Sequence, residues 1–100
     1  MRDSLLTMDY IKLVAGNIAK QYGVKRVYLF GSYARNAATT HSDIDLLIEK
    51  GKPISLLDLS GMRMKFEDKL KTPIDLLTTD GTEIEFREAI AGTEVLLYEE

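Results

Sequence analysis

Three aspartates and a Gly-Ser pair are the residues whose types and spacing could do chemistry. Gly31-Ser32 closes the apolar run Val27 to Phe30, and ten residues later Ser42-Asp43-Ile44-Asp45-Leu46-Leu47-Ile48 follows. The arrangement reads as strand, tight turn, short helix, loop, strand. Asp43 and Asp45 stand two apart, so on a strand both side chains point to one face while Ile44 and Leu46 point to the other. Like charges side by side on a strand repel, and a divalent cation is the expected counterweight. A helix start reached through Gly-Ser offers free backbone N–H groups and a positive dipole end, which suits a phosphate. Gly31 lets the backbone approach a ligand closely, and the Ser32 hydroxyl can donate to a phosphate oxygen. Magnesium is typically held by one or two carboxylates together with substrate phosphates. The parts together describe a site for a metal-bound nucleoside triphosphate.

A third carboxylate repeats the second. Ile74-Asp75-Leu76-Leu77 copies Ile44-Asp45-Leu46-Leu47, and a carboxylate set inside a short apolar strand is costly unless a metal, a proton or a partner satisfies it. The alternative is an aspartate at a strand end facing water. Arg35, one helical turn beyond Ser32, could reach a triphosphate or pair with an acidic neighbour. His41, the only histidine, is either a general base or a solvated loop residue.

These motifs resemble the signature of the DNA polymerase beta-like nucleotidyltransferase superfamily: Gly31-Ser32, ten intervening residues, then Asp43-x-Asp45, within Gly-Ser-x-Ala-Arg and Ser-Asp-Ile-Asp-Leu-Leu-Ile. Within it, the short chain resembles the minimal nucleotidyltransferases, the MNT or MntA-type antitoxins that pair with HEPN-domain toxins. The resemblance implies that Asp43, Asp45 and Asp75 hold one or two magnesium ions, with Asp75 completing the acceptor-side metal site or serving as general base. Gly31, Ser32 and Arg35 then belong to the nucleotide site. It implies ATP as substrate and a tyrosine hydroxyl of a HEPN ribonuclease toxin as the acceptor of AMP. The competing expectation is a binding antitoxin that occludes its partner without transfer. Modification of the chain itself, which has five tyrosines, or of a small molecule is also open. Family members commonly carry glycine directly after the Ala-Arg pair. This chain has Asn36, which tolerates left-handed backbone better than most residues.

The remaining sequence supplies the elements that must position these groups. One hundred residues suit one domain spanning 1–100, with no room for a separate acceptor-binding domain. Composition is ordinary for a globular protein, and the absence of cysteine fits a reducing cytoplasm. The start lacks the design of a signal peptide, and no apolar run approaches a membrane span, so the expectation is a cytoplasmic protein without a membrane partner. A net charge of -3 argues against direct binding of a long nucleic acid.

Ser4 to Tyr22 has the apolar spacing of a helix, ended by Gly23. Lys25-Arg26 fall at the exposed start of the first strand, with no catalytic role. A short helix is expected over Tyr33 to Ala38, and a longer one from Ser55, with Leu59, Met62, Phe66 and Leu70 as its buried stripe. Gly61 inside it weakens the helix unless it marks a close contact. Thr72 to Leu77 reads as the third strand, Thr82 to about Ala91 as a helix, and Val95 to Tyr98 as an edge strand. The fold class is α/β, also describable as α+β: a small mixed sheet with helices on one face and the aspartates on the other, the nucleotidyltransferase fold. One antiparallel pairing is expected among parallel ones.

Overall fold

The structure, a computed structural model, describes residues 5–79, 88 and 92–100. The described elements are α1 (Met8–Tyr22), β1 (Val24–Phe30), α2 (Gly31–Ala34), β2 (Ile44–Lys50), α3 (Leu56–Leu70), β3 (Ile74–Thr78) and β4 (Val95–Glu99). The helix expected from Thr82 to about Ala91 lies, apart from residue 88, outside the described residues.

Helix α1 starts later than the sequence suggested. Thr7 is its N-cap, and its hydroxyl accepts a hydrogen bond from the Tyr10 amide. Gly23 ends the helix with φ +68°, its amide donating to the Ala19 carbonyl, and β1 begins at the next residue. Lys25 and Arg26 are therefore strand residues. Arg26 links three strands, since its guanidinium contacts Glu49 on β2 and donates from Nε to Glu99 on β4 at 2.7 Å. Helix α3 opens as expected, with the Ser55 hydroxyl accepting from the Asp58 amide. Gly61 does mark a close contact: a Cβ there would lie 3.2 Å from the Tyr22 hydroxyl.

Four strands form one sheet in the order β3-β2-β1-β4. β1 pairs antiparallel with both β2 and β4, and β2 pairs parallel with β3. Two antiparallel pairings thus stand where one was expected. The turn-helix-loop of residues 31–43 reverses the chain, whereas α3 carries it back across the sheet so that β3 can run alongside β2. β3 and β4 are the edges.

A single core explains the layers. Ile11, Val14, Ala15 and Ile18 of α1 and Met62, Phe66 and Leu70 of α3 pack on Val27, Leu29, Ile44, Leu46, Ile48 and Ile74 from one face of the sheet. The alternating strand residues, among them Asp45, Leu47, Glu49 and Asp75, turn to the opposite face. That face is not bare. Phe30 and Leu47 are buried there, outside the main cluster, so Asp45 sits on a partly covered surface.

Candidate active site

The register of three adjacent strands builds the site. Asp45, second residue of β2, lies opposite Phe30, last residue of β1, and opposite Asp75, second residue of β3. Cross-strand partners share a face, so the two carboxylates project together from neighbouring strands. Gly31 follows Phe30 with φ +76°, a backbone conformation that favours glycine. A Cβ at this position would overlap the Asp45 carboxylate, whose Cγ lies 3.1 Å from that point. Glycine is required twice over, by its backbone angle and by the carboxylate against it.

Asp43 departs from expectation. β2 begins at Ile44, leaving Asp43 exposed on the loop one residue before the strand rather than in the pleat with Asp45. The loop is tied to itself: the Ser42 amide donates to the Thr39 carbonyl at 3.0 Å, and the Thr39 amide to the Ser42 hydroxyl oxygen at 2.8 Å. Those bonds compete with strand pairing and fix where the ladder starts.

The turn after Gly31 is also shorter than expected. Instead of a helix over Tyr33 to Ala38, α2 is one turn, Gly31–Ala34. Its end is a Schellman motif, with Ala37 amide to Ser32 carbonyl at 2.8 Å and Asn36 amide to Tyr33 carbonyl at 3.3 Å. Asn36 takes the left-handed position, φ +57°, which asparagine tolerates better than most residues. So brief a helix has little macrodipole. The groups that could meet a phosphate here are local N–H groups and the Ser32 hydroxyl.

The electrostatics centre on Asp45. Burial pushes its carboxyl above the usual range, the charges of Asp75 and Asp43 push it further, and Arg35 pulls it back. Asp75 and Asp43 therefore stand near enough to Asp45 to act on it, and Arg35 near enough to oppose them. Arg35, Asp43, Asp75 and His41 are exposed, while Ser32 and Asp45 are half-buried. Among the described residues, no three Asp, Glu, His or Cys side chains converge closely enough to cage an ion alone. The set nevertheless fits magnesium, which takes hard oxygens, accepts one or two carboxylates and draws its remaining ligands from phosphates and water. A crowded half-buried carboxylate beside a glycine-lined approach suits a cation that arrives with its nucleotide.

Sequence reasoning gave no part to Thr72, which is buried and donates its hydroxyl to the Ser42 carbonyl across thirty positions. A threonine before the third apolar run was the available signal, but its partner became visible only once β3 lay beside β2.

A mixed sheet backed by helices on one face, with aspartates gathered beside a Gly-Ser turn on the other, defines a nucleotidyltransferase domain. The family model described as polymerase beta, nucleotidyltransferase matches residues 15–100, and the chain belongs to this family. A Methanocaldococcus jannaschii protein named protein adenylyltransferase MJ0435 is 48% identical over 73 residues, which cover 73% of this chain and 78% of that protein. A solved structure described as a minimal nucleotidyltransferase is 26% identical, with TM-score 0.77, over 90% of this chain and 95% of its own. A third similarity is of fold alone. It is to a chain from the structure of a tri-AMPylated Shewanella oneidensis HEPN toxin in complex with MNT antitoxin, 14% identical with TM-score 0.74, covering 94% of this chain and 74% of that one. The resemblance read from Gly31-Ser32 and Asp43-x-Asp45 holds for family and fold. Among the described residues, no helix is long and apolar enough to cross a membrane.

Proposed function

We propose that this chain is a magnesium-dependent nucleotidyltransferase that moves AMP from ATP to a tyrosine hydroxyl of a HEPN-domain ribonuclease toxin, and so serves as its antitoxin. The observation that carries the chemistry is the Asp45–Asp75 register beside Gly31. The name of the M. jannaschii relative and the AMPylated toxin in the Shewanella complex support the choice of a protein acceptor.

Asp43 and Asp45 would hold the metal ion together with the triphosphate, and Asp75 would join them or act as base on the acceptor side. Magnesium, when bound, offsets the negative charge of the phosphates and of the departing pyrophosphate. Gly31 lets the backbone close on the phosphates, and the Ser32 hydroxyl donates to a phosphate oxygen. Arg35 contributes positive charge at the same end of the sheet. The acceptor oxygen bonds to the α-phosphorus, the bond from that phosphorus to the bridging oxygen breaks, and pyrophosphate leaves. The hydroxyl proton passes to the Asp75 carboxylate, which is exposed and within the field of Asp45.

The test uses ATP labelled at the α-phosphate or at the γ-phosphate, with the chain and the product of the neighbouring gene. Nucleotidyl transfer puts α-label on the partner and γ-label in pyrophosphate, and Asp45→Asn abolishes both. Label on the partner from the γ-phosphate alone would mean phosphoryl transfer and defeat the proposal. A tight complex without label from either position would point instead to inhibition by occlusion.

A further inference from the structure

Asp43 stands outside the β-ladder, yet both peptide groups beside it are anchored to the entry of β3. The carbonyl before it, that of Ser42, accepts a hydrogen bond from the Thr72 hydroxyl at 3.3 Å. The amide after it, that of Ile44, donates to the Pro73 carbonyl at 3.1 Å. Thr72 and Pro73 lead directly into Ile74-Asp75, and Asp75 is the register partner of Asp45. One short segment thus touches the backbone on each side of one carboxylate and carries another.

Thr72 is 8% exposed and is the buried polar residue among those described. A hydroxyl removed from water needs a partner, and the Ser42 carbonyl provides it. The bond is longer than the usual hydroxyl–oxygen distance of about 2.8 Å, so it restrains the loop without clamping it. On its other side the same loop is closed by the Thr39–Ser42 bonds and by the His41 amide donating to the Thr39 hydroxyl oxygen at 3.2 Å. Thr72 joins this self-tied turn to the sheet through its side chain.

We propose that Thr72 is a positioning residue: its hydroxyl, through the Ser42 carbonyl, sets where Asp43 stands relative to Asp45 and Asp75, and thereby the affinity for a divalent cation bound with nucleotide. The inference rests on reading those three aspartates as the metal–nucleotide site. Groups that orient metal ligands from behind typically alter affinity by about tenfold or more when removed.

The experiment measures manganese binding to the full chain in the presence of a non-hydrolysable ATP analogue, following free manganese by electron paramagnetic resonance, with melting temperature recorded beside it. Thr72→Val, which keeps shape and removes the hydroxyl, is expected to weaken manganese binding about tenfold while the domain still melts cooperatively. Thr72→Ser, which keeps the hydroxyl, is expected to bind within about twofold of wild type, the residual reflecting its lost methyl group. Thr72→Ala supplies the same comparison should valine not fold. Wild-type affinity in Thr72→Val, or equal weakening in the serine and valine variants, would overturn the positioning role. Asp45→Asn is the control. Loss of binding there with none in Thr72→Val defeats only this inference, whereas wild-type binding in Asp45→Asn defeats the site reading beneath it.

Discussion

Asp45 is held half-buried among like charges. Its folded-state pKa is raised, first by burial and then by Asp75 and Asp43, so ionisation acts against the ligand-free fold. Below the unfolded value of about 4 the group is neutral in both states and imposes no penalty. As pH rises from there through the higher folded-state value, the wild-type domain loses stability. Asp45→Asn removes this term. Thermal denaturation without metal should therefore show the variant melting higher than wild type at pH 7, with the difference vanishing near pH 4. Magnesium and ATP together should raise the wild-type melting temperature and leave the variant unchanged. A variant less stable than wild type at pH 7 would show that Asp45 is satisfied within the protein. Gly31→Ala is the complementary change. It places a Cβ against the Asp45 carboxylate at φ +76°, and should cost about 1–3 kcal/mol of stability along with nucleotide binding, as read by denaturant titration and by fluorescence of a labelled ATP. The sequence alone pointed to Gly31, Ser32, Asp45 and Asp75, because a carboxylate inside an apolar run and a Gly-Ser break after one are local signals. The contact of Thr72 with Ser42 depends on pairing across thirty residues, which no local pattern contains, and the off-strand place of Asp43 follows from a loop that hydrogen-bonds to itself.

Among the elements, strands and long helices were legible, and their ends were legible where a cap could be read. Gly23 and Ser55 end and begin helices as their types suggest, whereas Thr7 caps α1 inside the stretch whose spacing suggests helix from Ser4. The helix after Gly31 is shorter than expected because Asn36 closes it through a left-handed turn, a conformation its residue type permits but does not dictate. Pairing direction was the least legible feature, since the loop from 31 to 43 could equally have spanned a crossover. The cap reading has a measurable consequence. Ser55 lies at the start of α3, beyond the end of β2 that is remote from Asp45, so Ser55→Ala should cost about 1 kcal/mol by chemical denaturation while leaving AMP transfer per folded molecule unchanged. Phe66 is fully buried in the middle of the same helix, and Phe66→Ala should cost about 3–5 kcal/mol, much of the stability of a small domain. Loss of transfer in that variant should track its unfolded fraction.

At the scale of the whole molecule, the two faces of the sheet divide the work. One is given over to α1, α3 and the core, and the other presents Asp45 and Asp75 with Asp43 and Gly31 at its margin. Modification of a protein partner by this acidic face is read from intact and peptide masses of the product of the neighbouring gene. The partner is co-expressed either with the wild-type chain or with the Asp43→Asn, Asp45→Asn double variant. AMP adducts on a partner tyrosine are expected with wild type and none with the double variant. An unmodified partner bound equally tightly by both forms would contradict that modification.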